Sequence, residues 1–281
     1  MKRPDGIRLK NVDPMYRVAC HIMDKRYDAM NMITIDIPLD PIKAYLKDAK
    51  RRGHNLSHMG VILAAYTRTV AEFPGLNRFI MNKEPYAHKD FKVGMVVLKD
   101  GSMENHGTMS KITFELTDTI FAVEEKLASY IEENRTAQDN GTEKLVKFFT
   151  SLPGLLRFGI PLVKWMDRHN IMPKVVVDFS PFHCSLLITN LASIRTNHIF
   201  HHVYEFGTTS VGMAMGNPRL VPKMQHGEVI FERCMPIGVV MDERIASGSY
   251  FALAFRRLRH YLADPTLLEA PLPAEDVKYD S

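Results

Sequence analysis

The chain has 281 residues, 46% of them hydrophobic, with 36 basic and 32 acidic side chains and a net charge of +4. That is enough apolar material for a large core, in one large domain or two small ones. The charge is too mild to single out nucleic acid as a partner, although a local basic patch suits an anionic ligand. Cys20, Cys184 and Cys234 are widely spaced and lack a C-x-x-C pair. They suggest neither a disulfide framework nor a zinc site, and they fit a reducing cytoplasm. No apolar h-region follows Met1-Lys2-Arg3-Pro4-Asp5-Gly6, so no secretory signal is expected. No run of ~18 uncharged apolar residues is present, so no spanning helix is expected either.

In chain order, residues 1–13 are polar and read as an arm. Tyr16 to Tyr27 reads as a short helix. From Met32 to Pro38, Ile33, Ile35 and Ile37 alternate with Met32, Thr34 and Asp36, the period of a half-buried strand. Asp40-Pro41 supplies an N-cap and first-turn proline for a helix that Gly53 ends. Ser57 caps a longer helix carrying Met59, Ile62, Leu63, Tyr66, Val70 and Phe73 on one face. Strands are expected at Arg78–Met81, Phe91–Leu98 and Lys111–Leu116, with a turn at Asp100-Gly101. The strand at Phe91 is apolar on both faces and is expected to be covered on both. Thr117 or Asp118 caps a helix to about Glu133.

Leu145 to Met172 is rich in Leu, Phe and Ile, with Lys147, Arg157, Lys164, Arg168 and the sole tryptophan, Trp165, interleaved. Pro153 and Pro161 interrupt it, so two short helices are expected. They pack on the domain or at a subunit contact; a basic amphipathic element in contact with a membrane surface is the other reading. Strands are then expected at Val175–Asp178, Cys184–Asn190, Thr208–Met215 and Val229–Asp242. A last helix carries Phe251, Phe255, Leu258 and Leu262, and Asp264-Pro265 stops it. The division is an arm at 1–13, one α/β domain at 14–265 with a helical insertion at 145–172, and a loosely held tail at 266–281.

Asp242-Glu243-Arg244-Ile245-Ala246-Ser247-Gly248 follows the buried run Ile237–Met241 and precedes the last helix, a place where sites are commonly built. It resembles the Asp-His-Arg-x-x-Asp-Gly signature of the catalytic domain of 2-oxo acid dehydrogenase acyltransferases, relatives of chloramphenicol acetyltransferase. Three more segments resemble that family in the same order. They are Asn55–Phe79 with Phe73-Pro74-Gly75-Leu76-Asn77, His88–Val97, and Ile188-Thr189-Asn190-Leu191-Ala192. The resemblance covers most of 14–265. It implies a chloramphenicol acetyltransferase-like two-layer α/β sandwich, a mixed β-sheet packed by helices. It also implies a homotrimer or higher trimer-based assembly with active sites between subunits, and coenzyme A or acyl-coenzyme A as the small-molecule acyl donor. No lipoyl domain is expected on this chain, and the 145–172 stretch departs from the family.

In that family a histidine removes a thiol proton and a Ser or Thr hydroxyl donates to the tetrahedral oxyanion, the two roles acyl transfer needs. The resemblance makes Thr189 the donor, with Asn190 beside it, and puts Glu243 at the histidine position and Ser247 at the aspartate position. Asp242, Arg244 and Gly248 match the motif; a salt bridge between Asp242 and Arg244 would fix the loop, and Gly248 suits a tight exit into the helix. A thiol near ~8.5 and a glutamate near ~4.3 differ by roughly 5.7 kcal/mol, against about 2.7 for histidine. The replacement thus costs about 3 kcal/mol, on the order of a hundredfold in rate, unless burial raises the glutamate. An ion pair with Arg244 would lower it instead. His198, His201 and His202 with Glu205 form a second polar cluster, as a relocated base, a metal site, or a hydrogen-bonded loop at a subunit contact. Two functions remain open: a coenzyme A-dependent acyltransferase, and a catalytically degenerate relative acting as a ligand-binding or assembly scaffold.

Overall fold

The computed structural model describes residues 3–98, 107–136, 141–151 and 154–280. A mixed sheet is its backbone. Its strands are β2 (Met30–Pro38), β5 (Phe91–Leu98), β6 (Gly107–Phe114), β7 (Leu186–Asn190), β8 (Val211–Met215), β9 (Arg219–Gln225) and β10 (Glu228–Asp242), in the order β2-β10-β8-β7-β5-β6, with β9 paired to β10. β7 runs parallel to β5 and β8, and the other pairs are antiparallel. A small sheet, β1 (Gly6–Arg8), β4 (Glu84–His88) and β3 (Arg78–Met81), stands beside it.

The period of two decides which face is buried. Ile35 and Ile37, Val93 and Met95, Leu186 and Ile188, Val211 and Met213, and Ile237 and Val239 share one core with α2 (Leu39–Arg51), α3 (His58–Glu72), α4 (Ile120–Thr136) and α8 (Gly248–Ala263). The fold is therefore a mixed sheet packed by helices. α3 is buried almost all round rather than along one stripe, because β-strands, α4 and α8 enclose it.

Several sequence expectations change. Val175–Asp178 lies in a short helix, α7 (Lys174–Phe179), that follows Pro173. α2 begins at Leu39, with Pro38 rather than Asp40 at its cap position. The helix after β6 starts at Ile120, where Thr119 rather than Thr117 or Asp118 accepts from Ala122 N–H. The insertion forms α5 (Gly141–Thr150) and α6 (Leu155–Arg168), and α6 continues through Pro161. A proline seven residues into a helix costs one hydrogen bond but leaves the chain helical when tertiary contacts hold both flanks. Pro153 and the Asp100-Gly101 turn lie outside the described residues. α6 turns Phe158, Leu162 and Trp165 outward, Phe158 with 75% of its surface exposed.

The two ends are not loose. Gly6–Arg8 pairs with β4, and the Arg3 guanidinium is buried between Asp5 and Asp167. In the tail, Lys278 N–H donates to Ala71, Asp280 pairs with Arg78 at 2.6 Å, and Leu268 is buried. Their polar composition suggested freedom; long-range ion pairs hold them instead.

Candidate active site

Asp242 is the last residue of β10 and fully buried. Its carboxylate accepts from Arg244 at 2.9 Å (Nε) and 2.8 Å (Nη2) and from Arg26 Nε at 3.4 Å. Arg26 also donates to the Tyr204 carbonyl, and its backbone N–H to Glu205 Oε2 at 2.7 Å. One anion thus ties the signature loop to the segment before β2 and to the loop before β8. Burial opposes the charge of Arg244, but hydrogen bonding and the charge of Asp242 outweigh it and leave its pKa above the ordinary value. For Arg26 burial dominates and pulls the pKa down, against Asp242 and Glu205. Arg26 carried no sequence signal: it sits in a single turn of 3-10 helix with no motif around it.

Because Arg244 is committed to Asp242 and to the Met23 carbonyl, it is not the partner of Glu243. The Glu243 backbone N–H donates to Ala29 at 2.8 Å and its side chain is exposed. Ser247 is the N-cap of α8: its Oγ accepts from Tyr250 N–H at 3.2 Å and contacts Ser249 Oγ at 2.9 Å. Gly248 has open space where a Cβ would stand and no positive φ. The tight exit expected of it is not a demand of the protomer.

Thr189 and Asn190 end β7, both half-buried. Asn190 Oδ1 accepts from Ser193 N–H at 3.3 Å and caps a short turn. Beside them lies a cavity of about 460 Å³, lined by Met59, Met95, Leu127, Arg135 and Ile188 among others. Glu243, His198, His201 and His202 do not line it. The register explains why. Thr189 pairs with Ala214, and Ala214 with Gly238, five residues before Glu243.

The histidines follow a segment laid across the other face of the sheet. A Cβ at Gly238 would stand 2.3 Å from the Ile199 carbonyl oxygen, and one at Gly216 2.2 Å from His198 N, so glycine lets this backbone rest on the strands. His198 Nε2 lies 3.0 Å from Thr34 Oγ1 on β2, three strands from Thr189. His201 Nδ1 contacts the His202 carbonyl at 3.1 Å, and His202 is exposed. Among the described residues no group of three or more His, Cys, Asp or Glu side chains is placed to hold a metal ion.

No protein-family model and no curated protein matches this sequence. Solved structures do. A probable dihydrolipoamide acetyltransferase from Listeria monocytogenes 4b F2365 superposes with a TM-score of 0.58 at 8% identity, over 91% of this chain and 94% of that one. The cubic core of a pyruvate dehydrogenase multienzyme complex gives 0.58 at 12% identity, over 93% of each chain. A chloramphenicol acetyltransferase gives 0.55 at 10% identity, over 90% and 99%. The chain therefore has the same mixed α/β fold as these acyltransferase structures, a mixed sheet packed by helices.

Proposed function

We propose that this protein moves an acyl group between coenzyme A and a small acceptor, at a site shared by two copies of the chain. Thr189 of one copy donates to the tetrahedral oxyanion. Glu243 of the other removes the thiol proton; the thiolate then attacks the acyl carbonyl, and the leaving group departs with a proton. The observation that carries this reading is the exposed Glu243 carboxylate, left out of the Asp242–Arg244 pair, at the end of the sheet away from Thr189. A trimer-based assembly would bring the two ends together, and the likeness to a cubic core supports that arrangement. A scaffold role without turnover is the second reading. It is favoured by Ser247, whose hydroxyl is used to cap α8, and by the lack of any of the expected bases around the Thr189 cavity of one protomer.

Subunit complementation tests the first reading. Thr189→Ala and Glu243→Gln would each be inactive alone. Mixed and reassembled at equal amounts, they should regain about a quarter of wild-type thiol release, the share of interfaces that pair two intact halves. Saturable acyl-coenzyme A binding with no turnover in wild type would leave the scaffold reading instead.

A further inference from the structure

A second site stands apart from the signature loop. Ser180 Oγ lies 2.8 Å from His183 Nδ1, and His183 Nε2 lies 3.2 Å from Asp167 Oδ2. All three residues are buried, and Ser180 lines a cavity of about 460 Å³ beneath α5 and α6. The cavity walls are apolar, with Phe149, Ile160, Val163 and Phe206 among them. Its size falls in the range of small-molecule sites, about 300–1,000 Å³.

The orientation of the triad follows from charge. Burial alone would raise the Asp167 pKa, but His183 and Arg3 outweigh it and hold the carboxyl below its ordinary value, so it is an acceptor. With Asp167 facing Nε2 as an acceptor, Nδ1 is the ring nitrogen that meets the Ser180 hydroxyl. That is the arrangement of a serine activated by an adjacent base. The parts are also held rigidly. Lys111 Nζ donates to the Val177 carbonyl at 2.7 Å and the His183 carbonyl at 3.0 Å, bracketing the Ser180 turn. Arg3 Nη2 fixes Asp167 at 2.7 Å.

We infer that Ser180 is a nucleophile that accepts the acyl group of a carboxylic ester whose apolar chain occupies the cavity under α5 and α6. Its Oγ attacks the ester carbonyl as His183 Nδ1 takes the hydroxyl proton. The C–O bond to the alcohol breaks, and His183 returns the proton to the leaving alkoxide. Water, deprotonated by the same histidine, then attacks the acyl carbonyl; the bond to Ser180 Oγ breaks, the histidine returns the proton to Oγ, and the free acid leaves. Lys164 and Tyr204 line the same cavity. Asp167 is a positioning residue that acts through His183.

The test is covalent capture on the full-length chain without coenzyme A, so it does not depend on acyl transfer at Thr189 and Glu243. An octyl fluorophosphonate should label Ser180, located by peptide mass spectrometry, at least tenfold faster than its ethyl counterpart. Val163→Trp, which fills the cavity, should remove that chain-length preference. Hydrolysis of p-nitrophenyl octanoate should be lost in Ser180→Ala, whose fold is checked by its melting curve. Asp167→Asn should lower kcat on the order of a hundredfold or more with KM little changed, since it leaves His183 in the wrong tautomer. No label on Ser180 in the folded wild type, hydrolysis that persists in Ser180→Ala, or a chain-length preference that survives Val163→Trp would overturn the inference. So would an Asp167→Asn variant with unchanged kcat.

Discussion

Thr189 and Glu243 stand at opposite ends of one sheet. Thr189 is level with Gly238 through Ala214, and five further residues at ~3.3 Å each put Glu243 about 16 Å away along the strand direction alone. No rotamer spans that gap. If the two act together, activity per chain should fall as the protein is diluted through its dissociation range. Light scattering and thiol-release assays at matched concentrations check this; activity independent of dilution in a monomer would exclude a shared site.

The glutamate at 243 gives a prediction with a sign. Histidine there lowers the uphill proton transfer by about 3 kcal/mol. Glu243→His should therefore speed thiol-dependent turnover by up to about a hundredfold. Steady-state rates with acetyl-coenzyme A decide it. An unchanged rate would mean that Glu243 does not handle the proton.

Removing Asp242 should be severe, because two guanidinium groups depend on it in a buried setting. Asp242→Ala leaves Arg26 and Arg244 without their anion and should cost on the order of 3–5 kcal/mol. The urea midpoint measures this directly. Asp242→Asn, which keeps an acceptor oxygen, should cost less.

Ser247 gives a prediction about stability through its place at the start of α8. Ser247→Ala removes the cap of α8 and should cost about 1 kcal/mol. Ser247→Asp keeps a capping oxygen and adds charge at a helix N-terminus, so it should be neutral or stabilising by up to about 1 kcal/mol. Thermal unfolding of the two variants should move in opposite directions or leave the aspartate variant at wild type.

Stability should also fall between neutral and mildly acidic pH. His88 packs 4.5 Å from Phe79, and its Nε2 donates to the Thr208 carbonyl at 3.2 Å. Burial pushes its pKa down from 6.5 to about 4, against the pull of Asp5. The unfolded chain thus takes up this proton near 6.5 and the folded chain only near 4, so the contribution is full above 6.5 and lost as pH falls to 4. With the ring half-buried, the loss is about 2 kcal/mol. Urea midpoints at pH 7 and 4.5 should differ less in His88→Gln than in wild type. Asp5 and Asp167, both held below their ordinary values, act only at lower pH.

The sequence by itself determined most strands of the main sheet and the helices that cover it. Strands such as Phe91–Leu98, helices such as the one capped by Ser57, and the position of Asp242–Gly248 between strand and helix are all set by local alternation, capping and turn chemistry. It also showed that Glu243 and Ser247 differ in kind from the residues of the motif that this segment resembles. Tertiary structure decided the rest, because distance between residues far apart in sequence has no local signal. Only the fold joined Arg26 to Asp242, freed Glu243 from Arg244, turned His198 to Thr34, and docked the terminal segments. It also brought Asp167 from α6 to His183 beside Ser180, sixteen residues on in the chain and 3.2 Å away in space.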